Sequence, residues 1–415
     1  MNRDTAPPRQ PAPLAGGTGR PAHPRVPLRL LLVLGPLSAF GPLSMDLYLP
    51  ALPEIARDLH SGDAAAQLTM SACMVGLAVG QLVAGALSDR FGRRKPVLVG
   101  VALFAVLSVG CALAPSMPVL IGLRFLQGLA GSAGIVVARA VVRDLYDGAA
   151  AARVFSLLML VLGAAPVLAP VLGGQLVRFV PWPGLFLALA VVGVALLAAA
   201  AAGLPETLPP QRRHAGGMGA TLRAFGPVLA DRRFVGYAAV NSLSFAAMFT
   251  YIGQGAFVLQ GRYGVSPQQY SAVFAVNAAG IVLAGRAGAV LVGRVPPVRL
   301  VLAGIGTAAV AAVVMFGAVA SGGLPVLLGG LFVVVACTGL VGPNATALAL
   351  ARHGARAGTA SSVLGLCQFL VGAVVAPLSS LGGASATTMT ATMAAVLIVG
   401  VGVLVPMLRT RRVTT

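Results

Sequence analysis

The sequence predicts an all-α polytopic membrane protein: twelve transmembrane helices arranged as two pseudo-symmetric six-helix bundles. Three observations predict it. Of 415 residues, 58% are hydrophobic and only 9% charged, with a mean hydropathy of +0.92; a soluble domain carries about 25% charged residues. Twelve apolar runs approach or exceed the roughly 20 residues that cross a bilayer as a helix. One long polar break, 204–231, divides six runs from six. A soluble enzyme, a secreted disulfide scaffold and a disordered regulator are excluded on composition alone.

In chain order, residues 1–26 are rich in Pro, Gly and Arg and lack periodicity, so they read as a disordered basic arm. No small-residue cleavage site follows a short apolar core, so the first run reads as a retained helix. The expected spans are 27–50, 66–88, 96–114, 118–141, 153–177 and 183–203, then 232–258, 268–292, 298–319, 323–349, 358–380 and 386–408. Hence an N-terminal bundle over 27–203, a central loop over 204–231, a C-terminal bundle over 232–408 and a tail over 409–415.

A formal charge of +19 invites a nucleic-acid reading. Its distribution argues otherwise. Assigned to sides by alternation of the spans, 25 of the 29 Lys and Arg fall on the face that holds both termini, and Arg57, Arg178 and Arg262 on the other. Basic loops face the cytoplasm, so both termini and the central loop are expected there, in a multi-pass inner-membrane protein that meets lipid and no nucleic acid. Arg124 alone remains, inside the fourth span. The four cysteines, Cys73, Cys111, Cys337 and Cys367, sit in apolar runs without metal-binding spacing, and read as packed, reduced thiols. No metal and no cofactor is expected.

The halves echo each other. Arg90 and Gly100 stand ten residues apart, as do Arg294 and Gly304, at an offset of 204; Tyr48 and Tyr251 fall at an offset of 203. Two related six-helix halves with a site between them suit a transporter.

Gly85-Ala-Leu-Ser-Asp89-Arg90-Phe-Gly92-Arg93-Arg94-Lys95, between the second and third spans, resembles the signature of the major facilitator superfamily. Gly85 and Gly92 are expected to allow close helix approach and a tight turn. Asp89, Arg90 and Arg93 would complete a conformational switch. Three segments resemble the drug:proton antiporter branch, its Bcr/CflA group in particular: Gly41-Pro-Leu-Ser-Met-Asp46-Leu-Tyr48-Leu-Pro50-Ala-Leu-Pro53, Arg124-Phe-Leu-Gln127-Gly128, and Ala165-Pro166 through Ala169-Pro170 to Gly173-Gly174. The last carries Ala at two of the signature's Gly positions. The resemblance spans residues 27–408 and implies efflux of a drug or antibiotic in exchange for protons, by a monomer driven by the proton gradient. The alternative within the same fold is an exporter or importer of a small metabolite.

Independently of the resemblance, Asp46 is the one acid that falls inside a span, and Arg124 the one base left inside a span and assigned to neither face. Ionisable groups in spans are costly and usually mark a pathway. At about 1.5 Å per residue both are expected in the outer half of the membrane, where they would face one cavity and couple protons; the competing reading is a static ion pair. Polar and aromatic candidates for the cavity wall are Tyr48, Gln127, Asn241, Phe245, Tyr251, Gln254, Asn277, Asn344 and Gln368. Trp182 reads as an interfacial anchor. The four histidines lie in loops or tails and no phosphate-binding loop is present, so neither an enzyme nor an ATP-driven pump is expected.

Overall fold

The computed structural model describes residues 28–146, 154, 157–158, 161, 168–213, 218–319, 323–353, 357–380 and 383–409. The basic arm, Arg153, Pro166, His214 and the last six residues lie outside it. Among the described residues there is no strand. Ten helices among the described residues are long and apolar enough to cross a membrane, or eleven if one bent pair counts as a single span.

That bent pair is the first span. α1 covers Leu28–Asp46, and after a turn and a short helical stretch over Leu49–Ala51 the chain continues as α2, Leu52–Asp58. Between Arg29–Gly41 and Leu43–Asp58 the axis bends by 42°, where Pro42 removes a backbone donor. Pro50 likewise lacks the N–H that would reach the Asp46 carbonyl. The sequence reading placed Asp46 inside a span that ran to residue 50. The helix instead stops at Asp46 itself.

Apart from the fifth expected span, 153–177, most of which lies outside the described residues, the remaining elements lie close to expectation. They are α3 (Asp63–Phe91), α4 (Arg94–Ala112), α5 (Met117–Leu145), α6 (the helical stretch 168–176), α7 (Trp182–Gly203) and α9 (Arg232–Ala256). The last turn of α9 widens into a π-helix over Phe257–Arg262. Then come α10 (Pro267–Leu291), α11 (Pro297–Ala318), α12 (Leu324–Leu350), α13 (Ala357–Leu378) and α14 (Ala386–Arg409). Between α7 and α9, inside the break read as loop, lies the short helix α8, Met218–Leu229. Its apolar side buries Phe225 and Val228 and it packs on α3, α9 and α13. Apolar burial of this kind holds a helix too short to persist alone in water.

α1, α3, α4, α5 and α7 pack on one another, as do α9 to α14, and the main contact between the two groups is α3 on α13. Within the first group, Gly76 of α3 lies against the Phe125 carbonyl of α5, and Gly128 of α5 against the Cys73 carbonyl. Without small residues these backbones could not approach so closely. All four cysteines are free thiols, Cys73 and Cys111 buried and the other two half-buried.

Candidate functional site

Loops alternate between two ends of the bundle, here the termini face and the far face. At the far face the two groups of helices are joined directly. The Gln260 amide donates to the Pro50 carbonyl at 3.0 Å, and Ser380 donates to Gln67 Oε1 at 2.8 Å. The Ala384 N–H reaches Asp63 at 3.3 Å, and Gln268 donates to the Gly174 carbonyl at 2.9 Å. Every one of these bonds joins a residue before position 175 to one after 250. The last explains the glycine pair at the end of α6. Gly173 lies against the Leu47 carbonyl inside the first group, while Gly174 lies against Ser271 of α10 in the second. Pro170 is on the same stretch; Pro166 falls outside the described residues.

Just below this seal lie Asp46 and Arg124. Asp46, Arg93 and Arg124 are the buried charged residues among those described, and Asp46 is the sole acid. Arg124 is fully buried, its guanidinium carbon 4.5 Å from the Tyr48 ring centroid and 5.6 Å from that of Phe186. It donates through Nη1 to Gln127 Oε1, and Gln127 in turn donates to Ser108 at 2.7 Å. Tyr48 shares a 2.9 Å hydrogen bond with Thr69. Arg124 Nε and Nη2 have no partner among the described residues. The field of Arg124 acts on Asp46, yet no ion pair joins them among the described residues. Arg124 is thus held by aromatic faces and an amide, a geometry that suits a planar cation.

The other candidates separate into two groups, both in the second set of helices. Asn241 of α9 donates to Gln368 of α13 at 3.2 Å. Phe245, Phe249 and Phe369 continue this wall, with ring centroids 6.1 and 6.4 Å apart. Asn344 turns its amide back onto the Leu340 carbonyl of its own helix at 2.8 Å. Nearer the far face, Gln254 bonds Ser379 and accepts from Thr388 at 3.3 Å. Tyr251 and Asn277 are buried, and the Tyr251 hydroxyl and Asn277 Nδ2 have no partner among the described residues. Tyr270, absent from the sequence reading, is fully buried beside them with a hydroxyl likewise unpartnered.

At the termini face the residues of the 85–95 motif meet two acids that sequence reasoning missed. Gly92 adopts φ +91° at the end of α3, a conformation costly for any residue with a side chain. This turn delivers Arg93, which bonds Asp89 at 2.6 Å, Ser88 at 2.8 Å and Asp144 of α5 at 2.8 Å. Glu206, just past α7, accepts from the backbone N–H of Arg93 at 2.8 Å and of Arg94 at 3.3 Å. Burial alone would raise the Glu206 carboxyl. The N–H groups of Arg93, Leu208 and Arg94, with the charge of Arg213, outweigh it and hold the carboxyl below its usual range. Arg90 is exposed and lies over Phe91. Gly85 corrects an expectation: the nearest atom to a side chain placed there is 3.9 Å away, so it permits no unusually close approach in this conformation. The signal that could have flagged Asp144 and Glu206 was their sign, acids on a face otherwise crowded with arginine. Trp182 also departs from expectation. It is 5% exposed and donates to Asp58 at 3.0 Å, tying α7 to α2 instead of meeting the lipid interface.

Comparison with known proteins agrees with this architecture. The family model of the Major Facilitator Superfamily matches residues 34–377. The chain is 38% identical over 90% of its length, and 94% of the relative's, to the "Uncharacterized MFS-type transporter YdgK" of Bacillus subtilis. It is 30% identical to the "Bicyclomycin resistance protein homolog" of Haemophilus influenzae, over 89% of this chain and 94% of the relative. With the "Multidrug resistance protein MdtL" of Escherichia coli it shares 34% over 60% of its own length and 63% of the other's. Among solved structures, the xylose transporter XylE of Escherichia coli, in a partially occluded inward-open conformation, superposes with a TM-score of 0.68 at 15% identity, covering 90% of this chain and 97% of that one. A bacterial homolog of the human lysosomal transporter Spinster, inward-facing and occupied, gives 0.73 at 18%, covering 92% and 96%. These two carry the fold alone. With an all-α membrane architecture, a matching family model and relatives over nearly its whole length, the chain belongs to the major facilitator superfamily and is a membrane transporter, not an enzyme.

Proposed function

We propose that this protein exports a drug or antibiotic across the bacterial inner membrane in exchange for protons, with both termini cytoplasmic. The observation that carries the reading is Asp46, the sole buried acid among the described residues, placed at a helix end within the electrostatic reach of Arg124 and directly beneath the far-face seal. A carboxyl there is pulled towards the neutral form by desolvation and towards the ionised form by the cation. It can therefore take a proton when far-side water reaches it and release one when water enters from the termini face. The names of the Haemophilus influenzae and Escherichia coli relatives, both resistance proteins, support a drug cargo. The two helix groups act as the bundles that rock against each other. Asn241, Gln368 and the phenylalanines beside them line the cargo space on the termini side. The proton gradient is the energy source.

The test has two parts. An efflux-deficient bacterial host expressing the chain, screened across antibiotic classes and dyes, gains resistance to at least one class, and a protonophore abolishes the gain. With that compound, energised cells carrying Asp46→Asn accumulate drug as empty cells do, while the purified variant still binds it. Export against a gradient by the Asn variant, still collapsed by the protonophore, would place the proton elsewhere and overturn the assignment.

A further inference from the structure

The short helix α8 bridges the two groups of helices on the side where they part. In the far half of both helices, α3 and α13 touch: Ser380 bonds Gln67, and a side chain placed at Gly372 of α13 would meet Met74 of α3 at 3.2 Å. Gly365 stands seven residues nearer the termini face, two turns away on the same side of α13. A side chain placed there would meet nothing within 4 Å. The two helices have separated by that level. Beyond it, at the termini face, α8 packs on both of them and on α9. Phe225 and Val228, three residues apart and so on one side of α8, are buried, while Gly226, Pro227 and Leu229 are exposed. The end of α8 is tied to the second group. Asp231, at the start of α9, accepts from the Arg233 N–H at 2.9 Å and lies 3.2 Å from His353 Nε2 beyond α12.

We propose that α8 is a strut: anchored to the second group and bearing on α3, it occupies the space into which the termini ends of α3 and α13 move when that face closes, so each turnover requires α8 to leave α3. This rests on the rocking of the two groups stated above and needs nothing of the cargo or the proton. Two bundles that touch near one end and part towards the other alternate by closing the parted end. An element docked between them opposes that closure for as long as it stays docked. Its docking is held by apolar burial, and a helix of twelve residues does not persist alone in water. Release from α3 and α13 therefore unravels it, and the burial of Phe225 and Val228 sets how readily that happens. The strut biases the balance between the two conformations from outside the cargo space.

The experiment releases α8 and reads both faces in purified, reconstituted protein, without drug or proton gradient. The half-buried Cys337 and Cys367 are first replaced by Ser. Spin labels at Lys95→Cys and Arg294→Cys then span the termini face, and labels at Arg178→Cys and Gln269→Cys the far face; all four positions are exposed and each pair joins opposite groups. Amide exchange over residues 218–229 reports whether α8 is docked. Phe225→Ala combined with Val228→Ala speeds that exchange, shortens the termini-face distance and lengthens the far-face one, raising the ratio of termini-closed to termini-open molecules about tenfold. Val228→Ala alone, the milder change, moves all three readings the same way by less. Gly174→Ala, which obstructs far-face closure from the other end, is the control for rocking: it lengthens the far-face distance and, by closing the termini face, speeds exchange in α8. Faster exchange in the double variant with both distances as in wild type overturns the strut. So does unchanged exchange, because burial of those two side chains is then not what holds α8. In either case, distances that still move in Gly174→Ala leave the rocking of the groups standing, and distances that do not move there overturn that reading as well.

Discussion

At the scale of single residues, Arg124 owes its position to shape as much as to charge. Its guanidinium lies over the rings of Tyr48 and Phe186 and bonds Gln127. Lysine would keep the charge but has no flat face to stack and a different donor geometry. Arg124→Lys should therefore cut drug transport about tenfold or more, since a desolvated cation–π contact contributes about 2 kcal/mol, while midpoints of thermal unfolding in detergent stay within a few degrees. Transport equal to wild type would show that charge alone suffices. Glu206 makes a different prediction. Its carboxyl is held below the usual range by N–H groups of Arg93, Leu208 and Arg94, so its stabilising contribution is present above the ordinary glutamate pKa and is lost as pH falls through the depressed value. Glu206→Gln should unfold at a lower temperature than wild type at pH 7. The gap should narrow below about pH 4.3, the unperturbed value. A gap independent of pH would mean that the interaction does not depend on the carboxylate charge.

At the scale of elements, adjacent glycines at the end of α6 give opposite predictions. A side chain at Gly173 meets the Leu47 carbonyl within one helix group. Gly173→Ala should lower stability by about 1–3 kcal/mol, the usual cost of overpacking, seen as a lower unfolding midpoint. At Gly174 the obstacle is Ser271 of the other group. Gly174→Ala should leave the unfolding midpoint near wild type but favour the far-open state, read as a longer distance between spin labels at Arg178 and Gln269. Elements were also where the sequence was most legible. Apart from the first run, which breaks at Asp46, and the fifth, 153–177, most of which lies outside the described residues, apolar run length gave spans within a few residues of the described helices, because in lipid a helix must satisfy its own backbone. It did not give α8, twelve residues interrupted by Pro227, because that helix exists through the burial of Phe225 and Val228 on neighbours. Nor did it give the break after Asp46, although Pro50 and Pro53 were in plain view. An apolar average does not register a missing donor. Asp46 and Arg124 were legible as site candidates because charge within an apolar run stands out. Tyr270 was not, since a tyrosine at the start of a span is ordinary until its hydroxyl is found buried without a partner among the described residues.

At the scale of the whole molecule, the far face is closed by neutral bonds such as Gln67–Ser380 and Gln260–Pro50 together with one to the Asp63 carboxylate, whereas ion pairs cluster at the termini face around Arg93, Asp89 and Asp144. Asp89 is well exposed there, its side chain 59% accessible, and it lies at the opposite end of the span from the Asp46 site. Asp89→Asn should thus impair transport by shifting the balance between conformations, with drug affinity of the purified protein kept within several-fold. Complete loss of binding by a folded variant would place Asp89 in the site. The sealed guanidinium of Arg124 has one more consequence. An arginine in a protein does not lose its proton. In the proposed cycle the Asp46–Arg124 site is therefore neutral overall when Asp46 is ionised and carries one positive charge when Asp46 is protonated. A charge crossing the full membrane potential is worth about 2.3 kcal/mol per 100 mV. A potential negative inside would then pull the protonated carrier inward, so export of an uncharged drug generates current and export of a monovalent cation, at one proton per turn, generates none.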